Sequence, residues 1–221
     1  MHIEPGVVDA AKMGFAVATA TGAAAWTAKL ALTELKRSNP ASLAARAAIA
    51  TVGTFVCFEL LPHFVAGVSE VHFILGTTLF LILGAAPAAI GLALGLLLQG
   101  MLFAPTDLPM FAVNVTTLLV PLFAMSALGA RITQGRAYVD LGYADVAKLS
   151  ALYQGGVVSW VAFWVFYGQG VGAETMAQVM TFAGAYAVVL LVEPVADLAV
   201  LAAAKARRAR AGLVSDRLYA A

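Results

Sequence analysis

The side chains best suited to chemistry in this sequence are three histidines, His2, His63 and His72. His2 stands out by position. A histidine in second place offers three nitrogens in succession: the α-amine of Met1, the amide nitrogen of His2 and its imidazole Nδ1. Closed on a single ion, they form two fused chelate rings. Three in-plane nitrogens suit a square-planar d⁸ or d⁹ ion, and tetragonal nitrogen sites point to Ni²⁺ or Cu²⁺. A fourth nitrogen from a distant histidine would complete the plane. The chelate requires a retained Met1 with a free amine. A bulky second residue such as His is expected to block trimming of the initiator, and the start Met1-His2-Ile3-Glu4-Pro5-Gly6 lacks the basic region of a signal peptide. The first residues are therefore expected in the mature protein.

Other chemistries find less support. Cys57 is the single cysteine, which excludes an intramolecular disulfide and a cysteine-based metal site. No Gly-rich phosphate loop followed by Lys-Ser/Thr occurs, so the chain is not expected to hydrolyse ATP by that route and is not read as an enzyme. A hydrolase using Ser69 with His63 or His72 lacks a nucleophile elbow or zincin spacing. Glu59, Glu193 and Asp197 fall within or near apolar stretches, where a charge is expensive and usually faces a partner or a cavity. They support a second reading, a secondary ion-coupled transporter or channel with these carboxylates as its path. Glu59 and His63, four apart, are expected on one helix face.

These residues must be positioned by helices in lipid. Of 221 residues 62% are hydrophobic and 11% charged, against about 25% charged in soluble domains. A surface facing acyl chains needs no polar cover, and a spanning helix needs about 20 apolar residues. Seven stretches qualify or nearly do: 8–32, 45–64, 72–83, 88–103, 110–130, 149–168 and 176–203, the third being short. Gly84-Ala85-Ala86-Pro87 reads as a tight turn between the third and fourth. The expected fold is an all-α integral membrane protein of about seven transmembrane helices. Lys29, Lys36, Arg37, Arg46, Arg131, Arg136 and Lys148 fall on one side of that arrangement, with the basic residues of the tail. By the positive-inside rule that side is cytoplasmic. The amino terminus is then outside and the carboxyl terminus inside. Residues 1–204 read as one transmembrane domain and 205–221 as a basic cytoplasmic tail. Glu4, Asp9, Glu70, Asp107 and Glu174 leave the outer side acidic, which attracts cations. Nothing points to nucleic acid. Small residues four apart, among them Gly14/Ala18/Gly22, Ala41/Ala45 and Gly91/Gly95, allow helices to approach closely.

Several motifs resemble one family. The Met1-His2-Ile3 opening resembles that of the substrate-binding (S) components of energy-coupling factor transporters for cobalt and nickel, the CbiM/NikM family. Gly67-Val68-Ser69-Glu70-Val71-His72 followed by Gly76 is similar to the family's loop ending in a ligand histidine. Leu96–Phe103, Val113-Asn114-Val115 and Leu191-Val192-Glu193-Pro194 resemble further family segments. The resemblance implies a seven-helix fold and a metal held by the Met1 amine, the His2 amide and imidazole nitrogens and the His72 imidazole. It places Asn114 nearby as a positioning residue. Ser69 and Glu70 are candidates to orient an imidazole, and His63 is a further candidate near the site. Three positions depart from the family pattern: Glu70 where many members carry a small hydroxyl residue, Thr117 in place of a second Asn, and Pro194 in place of a Gly.

By the same resemblance, the chain is expected to be the Co²⁺- or Ni²⁺-capturing subunit of an ATP-driven importer in the cell inner membrane, with no organic cofactor. The implied partners are a transmembrane coupling (T) protein, a pair of cytoplasmic ATPases and a small accessory membrane subunit, besides membrane lipid.

Overall fold

A computed structural model describes residues 2–210. Seven α-helices follow in order: α1 (Met13–Leu35), α2 (Pro40–Phe55), α3 (Gly76–Leu83), α4 (Ala85–Leu102), α5 (Phe111–Thr133), α6 (Tyr143–Gln169) and α7 (Ala173–Arg210). Among the described residues six helical segments are long and apolar enough to cross a membrane; α3 is not one of them. At 1.5 Å per residue its eight residues reach about 12 Å. A two-stranded antiparallel hairpin, β1 (Phe64–Ala66) and β2 (Ser69–Val71), lies between α2 and α3. Met1 and the tail residues 211–221 fall outside the described residues. The basic stretch that begins at Lys205 starts inside α7, which runs on to Arg210.

The element boundaries differ from the apolar stretches where tertiary contacts override composition. The first helix begins at Met13, not near residue 8, because Val7 and Val8 are buried against the end of α6. A Cβ on Gly168 would lie 2.0 Å from the Val7 carbonyl oxygen, so only glycine permits this approach. Lys12 Nζ also donates to the Gly168 carbonyl at 2.6 Å. The second helix ends in a wider turn over Val56–Leu60, closed by the Leu61 amide on the Val56 carbonyl at 3.2 Å, and does not reach residue 64. His63 therefore leaves the helix that carries Glu59, and the expected shared face does not exist. Glu59 instead accepts from Gln99 Nε2 at 3.4 Å.

The third helix begins at Gly76 and not at His72. Leu75 is left-handed (φ 53°), which no continuous helix allows. Gly76 packs so tightly on Tyr153 that a Cβ would sit 2.3 Å from its ring. Two acids of α7 hold the elbow: Glu193 accepts from the Ile74 amide and Asp197 from the Thr78 hydroxyl. Glu193 is fully buried, and its other oxygen takes Gln154 Nε2, whose own oxygen accepts from Tyr186 at 2.5 Å. A buried carboxylate so supplied with donors is a structural clamp. It ties the segment after His72 to α6 and α7.

Close helix contacts follow the small residues. A Cβ on Gly91 would meet Ala50 at 2.2 Å and one on Gly95 would meet Thr54 at 2.6 Å, so α4 rides directly on α2. The stripe Gly14/Ala18/Gly22 on α1 faces outward instead, with open space at both glycines. Trp160 and Trp164 of α6 both donate to the Thr116 hydroxyl of α5, at 3.2 and 3.1 Å. At one end of the bundle Arg46 bridges Glu34 and the Leu83 carbonyl, and Arg208 pairs with Asp140. The amino-terminal segment and the hairpin occupy another region, beside the turn over Pro105–Met110.

Candidate metal centre

The site is built by adding the amino-terminal segment to the hairpin as a third strand. Ile3 pairs antiparallel with Ser69. The Glu4 amide donates to the Val68 carbonyl at 3.0 Å and the Glu70 amide to the His2 carbonyl at 2.9 Å. The Ser69 hydroxyl donates to the same His2 carbonyl at 3.0 Å. From the other side, Asn114 of α5 accepts the Ile3 amide at 2.8 Å, where both residues are buried. Gly67 makes the hairpin turn possible: its φ is +63°, and a Cβ would meet the Gln178 carbonyl at 2.6 Å.

This framework delivers three donor atoms to one point. His2 Nδ1 lies 3.2 Å from His72 Nε2, although the residues are 70 positions apart. Glu70 Oε2 is 3.0 Å from His2 Nδ1 and 2.8 Å from His72 Nε2. Glu70 and His72 are two apart on an extended segment, the spacing that puts side chains on one face of a strand. Both histidines are nearly inaccessible, at 3% for His2 and 1% for His72, while the Glu70 side chain is 24% exposed. This trio can hold a metal ion, since two imidazoles and a carboxylate are all metal ligands.

Burial sets the protonation of the rings. It pushes His72 down to about 2 and moves His2 in the same direction. Hydrogen bonds from His2 and His72 hold the Glu70 carboxyl well below the usual range. The rings are thus neutral, the form that binds metals. Both face the carboxylate through the nitrogens a metal would use, so capture requires each ring proton to sit on the far nitrogen. Among the described residues those far atoms, His2 Nε2 and His72 Nδ1, are buried without a hydrogen-bond partner.

Met1 lies outside the described residues, so its amine has no described position. His63 is near but does not offer a nitrogen to the cluster. It is exposed, stacks flat on His72 with centroids 4.8 Å apart, and faces the Leu61 carbonyl at 3.2 Å. Thr117, at the position where the family resemblance leads one to expect Asn, donates within its own helix to the Val113 carbonyl at 3.0 Å.

Two neighbours have no place in the sequence-derived ligand set. Asp107 Oδ2 lies 3.9 Å from His2 Nδ1, and His2, Asp107 and Asn114 line a small cavity beside the site. The sequence marked Asp107 only as one of several outer acids. Phe58 sets its ring against both imidazoles, with centroids 5.9 Å from His2 and 5.2 Å from His72. Its place depends on the wide turn at the end of α2, for which the local sequence carries no signal.

The sequence profile of a family described as "Cobalt uptake substrate-specific transmembrane region" matches residues 2–211. A comparison with curated proteins finds no match. Among solved structures, the chain is similar to a transition metal transporter, with a TM-score of 0.72 at 16% identity over 95% of this chain and 93% of that one. It is also similar to a truncated transition metal transporter, with a TM-score of 0.68 at 16% identity over 95% and 99% of the two chains. At such identity the likeness is one of fold.

Proposed function

The chain belongs to the cobalt uptake substrate-specific transmembrane region family and is a multi-pass membrane protein, and from that premise we propose that it captures Co²⁺ or Ni²⁺ at its amino-terminal site as the substrate-binding subunit of an energy-coupling factor importer. The observation that carries this reading is the convergence of His2 Nδ1 and His72 Nε2 to 3.2 Å. Nitrogens held by one ion at about 2.1 Å in neighbouring positions lie about 3.0 Å apart. In the proposed ligand set the Met1 amine, the His2 amide and the His2 Nδ1 form the chelate, and His72 Nε2 adds the fourth nitrogen. Asn114 and Ser69 act as positioning residues, fixing the Ile3 amide and the His2 carbonyl of the peptide unit that follows that chelate.

The proposed orientation puts this site on the outer face of the cell inner membrane and the basic side in the cytoplasm. The ion enters past Glu70 and Asp107, is enclosed by the paired strands, and leaves inward when partner chains reorient the subunit. The proposed partners are a transmembrane coupling protein, a pair of ATPases and a small accessory membrane protein. The test is equilibrium binding of Co²⁺ and Ni²⁺ to protein with its native amino terminus. His2→Ala, His72→Ala and an amino-terminally extended form should each lose binding; unchanged affinity in all three would refute the reading.

A further inference from the structure

The nitrogen set proposed above fills a plane, yet the atom nearest both imidazole nitrogens is an oxygen. We propose that Glu70 Oε2 is a direct ligand above that plane, making the site five- or six-coordinate and favouring Co²⁺ over ions that prefer a square plane. The inference rests on the metal-capture reading and concerns which ion it serves.

The geometry is that of a facial array. Ligands at about 2.1 Å from one ion lie about 3.0 Å apart when adjacent and about 4.2 Å apart when opposite. The three separations among His2 Nδ1, His72 Nε2 and Glu70 Oε2 are 3.2, 3.0 and 2.8 Å. All three match adjacent positions and none an opposite one. When His2 Nδ1 and His72 Nε2 are neighbours in a plane, each remaining in-plane position is opposite one of them. The only positions adjacent to both are above and below. Glu70 therefore occupies the axial direction.

The carboxylate is held there by backbone and not by chance of rotamer alone. The Glu70 amide is bonded to the His2 carbonyl, and Glu70 pairs with Val65 across the hairpin. The strand that carries the oxygen thus leads directly into His72 and grips the backbone of His2. Moving Glu70 away would disturb both nitrogens. Two imidazoles and one carboxylate in a facial arrangement form a donor set known for divalent iron-type ions with open positions. A hard oxygen on the axis suits an ion that accepts five or six ligands. It opposes the square-planar state of a d⁸ or d⁹ ion, which leaves that axis empty. The departure of Glu70 from the small hydroxyl residue of the family resemblance then has a chemical meaning: it adds a charged ligand.

The test loads protein bearing its native amino terminus with Ni²⁺, and separately with Co²⁺, and reads magnetic moment and X-ray absorption. Wild type should hold paramagnetic, five- or six-coordinate Ni²⁺. Glu70→Ser should hold diamagnetic, square-planar Ni²⁺, and its Co²⁺-to-Ni²⁺ affinity ratio should fall at least about tenfold. Glu70→Gln, which keeps the shape and a neutral oxygen, should lie between, and controls for folding. Square-planar Ni²⁺ in wild type, or a coordination number equal in wild type and Glu70→Ser, overturns the inference while leaving metal capture intact. Binding that survives in both His2→Ala and His72→Ala overturns the reading beneath it, and the inference with it.

Discussion

Glu70 and Glu193 flank the same stretch of chain, one before His72 and one bonded just after it, but they are supplied with hydrogen bonds in different ways. Glu193 is wholly buried and takes a backbone amide on one oxygen and the Gln154 amide on the other. The Ile74 amide cannot leave without undoing the elbow at Leu75, and the Gln154 side chain is held by Tyr186. Glu70 takes its hydrogen bonds from two imidazoles, whose protons can move to the far ring nitrogens, and it keeps an open side. A carboxylate saturated by amides is structure, whereas one paired with labile ring protons can exchange them for a metal ion. The same contrast separates the secondary-transporter reading from the capture reading. An ion path through Glu193 and Asp197 would compete with the bonds that hold α3.

The largest effect is expected at the amino terminus. His2→Ala or an amino-terminal extension removes chelating nitrogens and should abolish measurable Co²⁺ binding, while the metal-free protein still melts cooperatively in detergent. Calorimetric titration beside a thermal melt checks both halves. Glu193→Ala should do the converse. It orphans the Ile74 amide and the Gln154 side chain, at about 1–3 kcal/mol for each buried donor, and should lower the melting temperature while the folded fraction still binds metal.

Asn114→Ala sits between the two, because it frees the Ile3 amide that seats the chelating strand. A cost of about 1–3 kcal/mol on the bound arrangement should weaken Co²⁺ affinity roughly 5- to 150-fold, read by the same titration.

Acidification acts on the chelate and on the fold separately. Capture needs an unprotonated amine, with an ordinary value of about 7.7–8.0, and loss of the His2 amide proton. Burial keeps both imidazoles neutral well below their usual range, so they add little to the proton competition. Affinity should therefore fall by up to about a hundredfold for each pH unit below about 7.7. The metal-free fold shows the same sign on its own. The neutral rings stabilise it fully above about 6.5, and this contribution is lost progressively as pH drops toward the lowered values. Binding isotherms and melts over a pH series separate the two. The smallest effect belongs to His63→Ala, which removes an exposed ring stacked on His72 and should change affinity by no more than a few-fold.

Much of the helical frame is legible in the sequence because lipid imposes length and composition together. The long apolar runs map onto six helices, and Gly84 marks the turn between α3 and α4. The start of α3 is not legible, because Glu193 sets it from 119 positions away. Nor is the pairing of Ile3 with Ser69, since one bridge between distant segments leaves no local period. At the site, chelation chemistry asks for a second histidine, and only the family likeness picks out His72 as the one to meet His2. Glu70 is legible only as a neighbour of His72, and its approach to His2 depends on the third strand. Asp107 and Phe58 reach the site from elements whose turns the sequence does not announce.

Anomalous scattering from crystals of the native-terminus protein grown with Co²⁺ would locate the captured ion. One strong cobalt peak is expected about 2.0–2.2 Å from His2 Nδ1, His72 Nε2 and Glu70 Oε2. A peak at Glu59, Glu193 or Asp197 with none at His2 would contradict it.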